Sequence, residues 1–464
     1  MDRRSQFFLV PFLMLALVSC SKLEKLALGE TAPEFGQVYY AKSFGGSSSD
    51  KINGIVQVGG DIVFCGSTRN SYSVDGINVD ANTTNEEFMI GRFSISNKQI
   101  KWLHTAGKKE DRSFCDTIAV DSVGNSYAAG TYWTDLNLGA GDLGSAGDRD
   151  VVLAKHDSDG NLLWGNSYGG TSGEEMSGLS ISSADDVVTS GFYRSTVDFG
   201  SGNETSAGDS DGFIASYNSS GTPQFSSSYG LSQKDYLWDV AHDSSNNIYA
   251  SGEMIGSVDL GGGALSPIGG RDIFLGKYDS SGNHIWSMNF GDTGEEYTRN
   301  IAVNGSGEVV VAGQSRGNFN VDGINNLNQG GDDIILVKVD SSGSIAWAKA
   351  FGTSASDVSQ DVIFDEEGNV ILLATFQETI NIGGEDLVSN GGVDFLVAKF
   401  DSNGNHLASK SFGGTGDDTG RTVHLDSDGE LLIGGSFSDT IQFTKTTGIV
   451  SNGSSDAFIL KMVL

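Results

Sequence analysis

Trp286-Ser-Met-Asn-Phe-Gly291, Ile301-Ala-Val-Asn304, Glu308-Val-Val-Val-Ala-Gly313, Asp333-Ile-Ile-Leu-Val-Lys-Val-Asp340 and Ile345-Ala-Trp347 follow one another inside a single block of 61 residues. Aligned on itself, the block recurs from end to end of the 464-residue chain, with its opening residue at Tyr40, Trp102, Trp164, Phe225, Trp286, Trp347 and Leu407. Seven copies at a spacing of 60 to 62 residues mean a repeat architecture, because each unit must bury its apolar faces against its neighbours. One closed array, rather than two or three separate domains, accounts for this length.

Within a copy the apolar runs are short and are separated by Gly, Asn, Asp and Ser. Repeat two supplies four of them, Thr117 to Val120, Ser126 to Tyr132, Asp150 to His156 and Asn161 to Ser167. Asp121-Ser-Val-Gly-Asn125 and Asp157-Ser-Asp-Gly-Asn161 join them in pairs as hairpin turns, in which Asp opens the turn and Gly accepts positive φ. Asp-Ser-Asp-Gly also matches the start of a calcium loop, but no bidentate Glu follows at the required distance, so the turn reading stands. With 65 glycines, 4 prolines and no long helical periodicity, the chain is all-β.

Seven four-stranded meanders predict a seven-bladed β-propeller over residues 37 to 464. The ends support closure. Repeat seven stops at Phe458-Ile-Leu-Lys-Met-Val-Leu464, after its third strand, and a spare strand, Gln37 to Phe44, precedes repeat one. If that strand completes the last blade, neither end leaves an unpaired edge.

Phe44-Gly-Gly46, Val197-Asp-Phe-Gly200, Gly269-Gly-Arg-Asp-Ile-Phe-Leu-Gly-Lys-Tyr-Asp279 and Gly282-Asn-His-Ile-Trp286 resemble the SBBP repeats of bacterial secreted β-propeller proteins. The resemblance covers residues 37 to 464 and implies the propeller fold and an extracytoplasmic location; it brings no activity and no catalytic residues. Repeat one departs most, with Asn85-Glu-Glu-Phe-Met89 where Gly-Gly-x-Asp-Ile is expected.

Residues 1 to 20 have a basic start at Arg3 and Arg4, an apolar run from Phe7 to Val18, and the ending Leu17-Val-Ser-Cys20. This is a secretory signal, too short for a membrane span. Its ending resembles the lipobox of bacterial lipoproteins, which implies cleavage before Cys20 and acylation of that cysteine, with several acyl chains giving a durable anchor. Ser21 in place of Asp favours the outer membrane, periplasmic or surface-exposed, by the same resemblance, and residues 21 to 36 read as a tether. Cys65 and Cys115 belong to neighbouring repeats and would meet in an oxidising compartment, but Cys65 aligns with Ala129 and Cys115 with Met176 and Leu237, so buried structural thiols are the preferred reading.

The formal charge of −32 excludes nucleic acid as a partner and suits a soluble monomer. Strand parity divides the loops: short turns lie on one face of the ring, and the longer connections between strands two and three and between blades lie on the other, where function concentrates. On that face acids recur in register. Asp50, Asp111, Glu174, Asp235, Glu296, Asp357 and Asp418 precede the innermost strand, and Glu87, Asp150, Asp211, Asp272, Asp333, Asp394 and Asp456 open the third. The first set is a candidate ring for Ca²⁺ near the channel mouth. The preferred alternative is that an acid rebuilt in every blade accepts backbone N–H bonds in its loop.

Specificity belongs where the copies disagree. Asn53, Asp116, Ser177, Trp238, Arg299, Gln360 and Arg421 share one column, and Trp238, Arg299 and Arg421 are its candidate ligand-binding residues, the arginines for an anion and the indole for stacking on a sugar. The alternative is that Trp238 fills a gap and the arginines neutralise Glu296 and Asp418. His104, His156, His242, His284, His406 and His424 lack metal-ligand spacing, and no His-Glu-x-x-His or Gly-x-Ser-x-Gly occurs. The expected function is therefore a lipid-anchored, non-enzymatic envelope module that binds protein or glycan on its long-loop face. A polysaccharide lyase or hydrolase, with His242 or His424 at the channel mouth, and a purely structural envelope protein are the alternatives.

Overall fold

A computed structural model describes residues 33–81, 85–107, 112–321, 324–326, 328–444 and 447–464. Cys20 and Asp111 lie outside them. Seven four-stranded antiparallel sheets follow each other in a ring, each running from an inner strand at the channel to an outer strand at the rim, and no helix occurs among the described residues. Blade four is typical, with Asp235–His242, Ile248–Met254, Asp272–Tyr278 and His284–Phe290 in that order. The second and third strands of each blade are buried almost throughout, which is why they carry apolar runs such as Ile334 to Val337.

The ring closes on the N-terminal strand. Val38–Phe44 pairs antiparallel with Asp456–Met462, placing Ala41 opposite Leu460, and supplies the fourth strand of blade seven. Contacts with blade seven extend to the residues before this strand: Phe35 packs into its core, and Gly36 N–H donates to the Val463 carbonyl at 3.0 Å.

Two recurring devices explain the motifs. In the turn motif the leading Asp takes both following N–H groups and the Asn side chain: Asp279 accepts from Ser281 N, Asn283 N and Asn283 Nδ2, each at 2.9 Å, while Gly282 sits at φ +82°. That same glycine is packed by the neighbouring blade. A Cβ on Gly343 would stand 3.1 Å from the Trp286 ring, and Trp286 Nε1 donates to the Ser341 carbonyl at 3.4 Å. Trp102, Trp164 and Trp347 reach Ser158, Ser219 and Ser402 in the same way, so each tryptophan clamps its blade to the next turn.

Pairing corrects three expectations. Lys399 lies opposite Ala408, as Lys338 lies opposite Trp347, so the seventh opening residue is Ala408 and not Leu407. Cys65 and Cys115 are joined in a disulfide, with Cα atoms 5.6 Å apart, rather than standing as separate thiols. Blade packing brings the second strand of blade one against the inner strand of blade two, and both sulfurs are fully buried there. Finally, each connection between strands two and three carries its own two-stranded ribbon, for example Thr196–Asp198 with Asn203–Thr205. Several ribbons lie along the outer strand of their blade and cover part of an edge that would otherwise be open.

Candidate functional site

The column of disagreement has one structural meaning. In every inner strand the register slips at that residue: between Ile52 and Gly54, Cys115 and Thr117, Met176 and Gly178, Leu237 and Asp239, Thr298 and Asn300, Ser359 and Asp361, and Gly420 and Thr422. Asn53, Asp116, Ser177, Trp238, Arg299, Gln360 and Arg421 are thus the extra residues of seven β-bulges, which re-aim a side chain without breaking the ladder. Below them a channel of about 410 Å³ is lined by the inner strands of all seven blades, including Asn53, Asp116, Asp239, Asn300, Asp361 and Arg421. Asp239 and Asp361 tie its wall together, accepting N–H bonds from Ile301 and Val423 of the following blade at 2.9 and 2.8 Å. Burial pushes both carboxyls up to about 7.

Around this mouth the cations gather. Every arginine among the described residues except Arg92 lies on the long-loop face: Arg69, Arg112, Arg149, Arg194, Arg271, Arg299, Arg316 and Arg421. They alternate with aromatic rings. Arg112 stands 5.0 Å from the Trp133 centroid, Arg149 5.8 Å from Trp133 and 5.7 Å from Phe192, and Arg271 5.9 Å from Tyr236 and 4.7 Å from Tyr297. Phe192 meets Tyr236 edge-on at 4.6 Å, which makes the belt continuous across blades two to five. Sequence reading missed it because the belt alternates two columns, Arg149 with Arg271 and Tyr236 with Tyr297, that meet only when neighbouring blades pack.

Acids hold part of this belt in place. Lys51 and Arg112 bond Glu86 at 2.9 and 2.6 Å. Burial, which would raise the Glu86 carboxyl, is outweighed by those cations, and it falls to about 2. Arg149 pairs with Glu175 at 2.9 Å and Arg271 with Glu253 at 2.6 Å. Burial raises Glu175 and lifts Glu253 to about 7 despite its arginine. Burial also raises the Asp116 carboxyl.

The recurrent acids occupy other ground. Asp50, Glu174, Asp235, Glu296, Asp357 and Asp418 are fully buried between blades. Each accepts the N–H four residues earlier, from Gly46, Gly170, Leu231, Asp292, Thr353 and Gly414, at 2.6 to 3.1 Å. In blade two the position in register is Ser113: its N–H bonds the Glu86 carbonyl as Glu174 N–H bonds that of Arg149. The connection from Ala106 to Ser113 is one residue longer than those from Phe290 to Glu296 or Phe351 to Asp357. The second set makes the same four-residue bond, from Ala146 to Asp150 through Asn452 to Asp456.

The two sets meet in pairs. A Cβ on Gly291 would lie 2.6 Å from an oxygen of Asp272 and 2.6 Å from one of Glu296, so the glycine after the aromatic is the spacer between two carboxyls. Asp50 with Asp456, and Asp211 with Asp235, repeat the arrangement. Burial, with the partner carboxylate adding to it, lifts Asp50 to about 6 and Glu174, Asp235 and Glu296 to about 7. Among the described residues no three His, Cys, Asp or Glu side chains stand where they could share one metal ion.

His242 and His424 are pushed down to about 4 by burial, and His242 Nδ1 lies 2.8 Å from Ser180 Oγ of the adjacent blade. Burial likewise holds His156 near 4, with His104 close by. These are neutral groups at pH 7.

No family model matches the chain. It is 27% identical over 303 residues to regulatory protein FlaEY of Caulobacter vibrioides, an alignment covering 59% of this chain and 31% of that protein. It is 22% identical over 425 residues to an uncharacterized WD repeat-containing protein of Acanthamoeba polyphaga mimivirus, covering 69% and 30%. The chain thus spans about a third of the length of these curated relatives. Among solved structures, an ulvan lyase overlays 90% of this chain and 95% of its own with a TM-score of 0.49 at 11% identity, a likeness of fold alone.

Proposed function

We propose that this chain is a lipid-anchored β-propeller of the cell envelope, of the SBBP-repeat kind, that binds protein or glycan partners through its long-loop face without chemistry of its own. One observation carries the reading: a chain of net charge −32 places all but one of the arginines among its described residues on the long-loop face, several of them interleaved with aromatic rings. Charge-bearing planar donors and aromatic faces are the groups that dominate recognition surfaces. The rigid ring holds them in place, and the lipobox at Leu17 to Cys20 supplies the anchor.

The test is retention and turnover measured together. Full-length protein in detergent is incubated with neutral and acidic polysaccharides; retardation in affinity gels without release of reducing or unsaturated ends supports a binding module. Released products support the second reading, an envelope lyase or hydrolase. That reading is favoured by Glu253 on the long-loop face, whose carboxyl burial lifts to about 7 beside Arg271, a value in the range general acids and bases use.

A further inference from the structure

Of the seven bulge residues, four are tied into the ring. Asn53 Nδ2 donates to the Cys115 carbonyl at 2.8 Å, Ser177 Oγ to the Leu237 carbonyl at 3.1 Å, and Gln360 Nε2 to Thr375 Oγ1 at 3.2 Å, while Asp116 accepts from Thr131 Oγ1 at 3.3 Å. The other three are Trp238, Arg299 and Arg421. Trp238 Nε1 and Arg421 Nε are buried and have no hydrogen-bond partner among the described residues. A buried donor left unmade costs about 1–3 kcal/mol, and such donors are normally satisfied. Arg299 stands exposed at the same level of blade five.

The charges around them are already committed. Arg421 is close enough to Arg299 for the two to repel, and the acid nearest in its field, Glu86, holds Lys51, Arg69 and Arg112. Glu175 and Glu253, the acids that feel Arg299, are bonded to Arg149 and Arg271. Two guanidinium groups therefore face one mouth with no acceptor of their own. Trp238 is flanked by Phe192 and Tyr236, each with ring centroids 5.9 Å away, which fixes its plane beside them.

We propose that Arg299, Arg421 and Trp238 form a site for a saccharide carrying a carboxylate or sulfate group. The arginines take the anion through paired N–H bonds, and the indole covers a sugar face and donates Nε1–H to a ring or hydroxyl oxygen. A sugar fits better than a peptide because Arg421 lines a polar channel of about 410 Å³, Arg299 stands within its field, and Trp238 carries an aromatic face at the same bulge of the blade before Arg299. It fits better than nucleic acid because dense phosphates meet the field of a −32 chain. This assignment rests on the binding reading above and narrows it.

The experiment is calorimetric titration of the full-length protein in detergent with four probes. Tetragalacturonate carries carboxylates, a carrageenan tetrasaccharide carries sulfates, cellotetraose is neutral, and tetraglutamate carries carboxylates without sugar. Saturable binding of one or both acidic sugars, weakened about tenfold or more by Arg299→Gln and by Trp238→Ala, is the expected result, and which sugar binds identifies the anion. Arg299 is exposed, so its variant keeps the fold even if Arg421→Gln does not; a melting curve checks each. Equal binding of cellotetraose, equal binding of tetraglutamate, no binding of either acidic sugar, or acidic-sugar binding unchanged in Arg299→Gln overturns the assignment. The broader reading fails separately, if the long-loop face releases products from a polysaccharide.

Discussion

Two buried carboxyls at each of six blade junctions cannot both be ionised cheaply, and the consequence is a ring that is most stable when they share protons. Asp235, beside Asp211, is lifted from 3.8 to about 7. At 1.36 kcal/mol per unit the full shift is roughly 4 kcal/mol. Discounted about fourfold for solvent and relaxation, it leaves ~1 kcal/mol per junction. The sign follows from linkage: a carboxyl with a raised folded-state value stabilises the ring below the unfolded value near 3.8, and the contribution is lost as pH rises through about 7. Roughly two-thirds of the loss falls between pH 5 and 8, or about 2 kcal/mol over the three junctions of Glu174, Asp235 and Glu296, whose carboxyls reach about 7. For a ring of about 430 residues, with an unfolding entropy near 0.9 kcal/mol/K, that is about 2 °C in melting temperature. His156, His242 and His424, depressed to about 4, work against it, since their contribution grows from pH 4 to 6.5. The comparison is therefore with a triple variant, Glu174→Gln, Asp235→Asn and Glu296→Gln, whose amides imitate the protonated acid. Scanning calorimetry should find the variant about 2 °C more stable than the native chain at pH 8 and level with it at pH 5. Parallel curves at the two pH values would refute the costly ionisation of these buried acids. A rise in native melting temperature at pH 8 on adding calcium, absent in the variant, would instead assign Asp50, Glu174, Asp235, Glu296, Asp357 and Asp418, with their partners, to a cation.

Three further outcomes follow from particular contacts. Reducing the Cys65–Cys115 bond, or replacing both residues by Ala, opens a loop of sequence separation 50 and should cost about 4 kcal/mol, read as a fall of about 4 °C in melting temperature that reductant no longer enlarges in the variant. Gly291→Ala drives a methyl against Asp272 and Glu296 and should destabilise by about 2–3 kcal/mol, whereas Gly305→Ala, with no atom within 4 Å of its Cβ, should leave the melting curve unchanged; equal effects would contradict the spacer role. Cys20→Ala should abolish metabolic labelling by palmitate and release the protein from the membrane fraction, and a labelled variant would remove the anchor from the proposal.

The blade was legible because its physics is local. Asp279, Gly282 and Asn283 specify a turn by their own hydrogen bonds, and the missing fourth strand of blade seven shows in the chain as a spare strand at Val38–Phe44. What was hidden depends on neighbours in the ring. The Cys65–Cys115 bond needs blade one against blade two, a distance that no spacing encodes. The ribbons, such as Leu136–Asn137 with Asp142–Leu143, are too short to show a period of two. In blade two no acid stands in register, and only the Ser113 N–H bond to the Glu86 carbonyl marks the place that Asp50 and Glu174 hold elsewhere.

Where the copies disagree, the repeat itself separates scaffold from recognition. A β-bulge at the same place in every inner strand means that the backbone makes no demand on the side chain there, so the residue is free to be chosen for something else. Asn53, Ser177 and Gln360 use that freedom to bond the ring, and Asp116 does so as an acceptor. Trp238 and Arg421 do not, and each leaves a buried donor unmade at the mouth of the channel. Arg69 and Arg271 also bury an unpartnered Nε, but each holds an acid through another nitrogen, whereas Arg421 holds none among the described residues. The unmade bonds are thus the feature that argues for a ligand, and a second guanidinium without an acid of its own, Arg299, argues that the ligand is an anion.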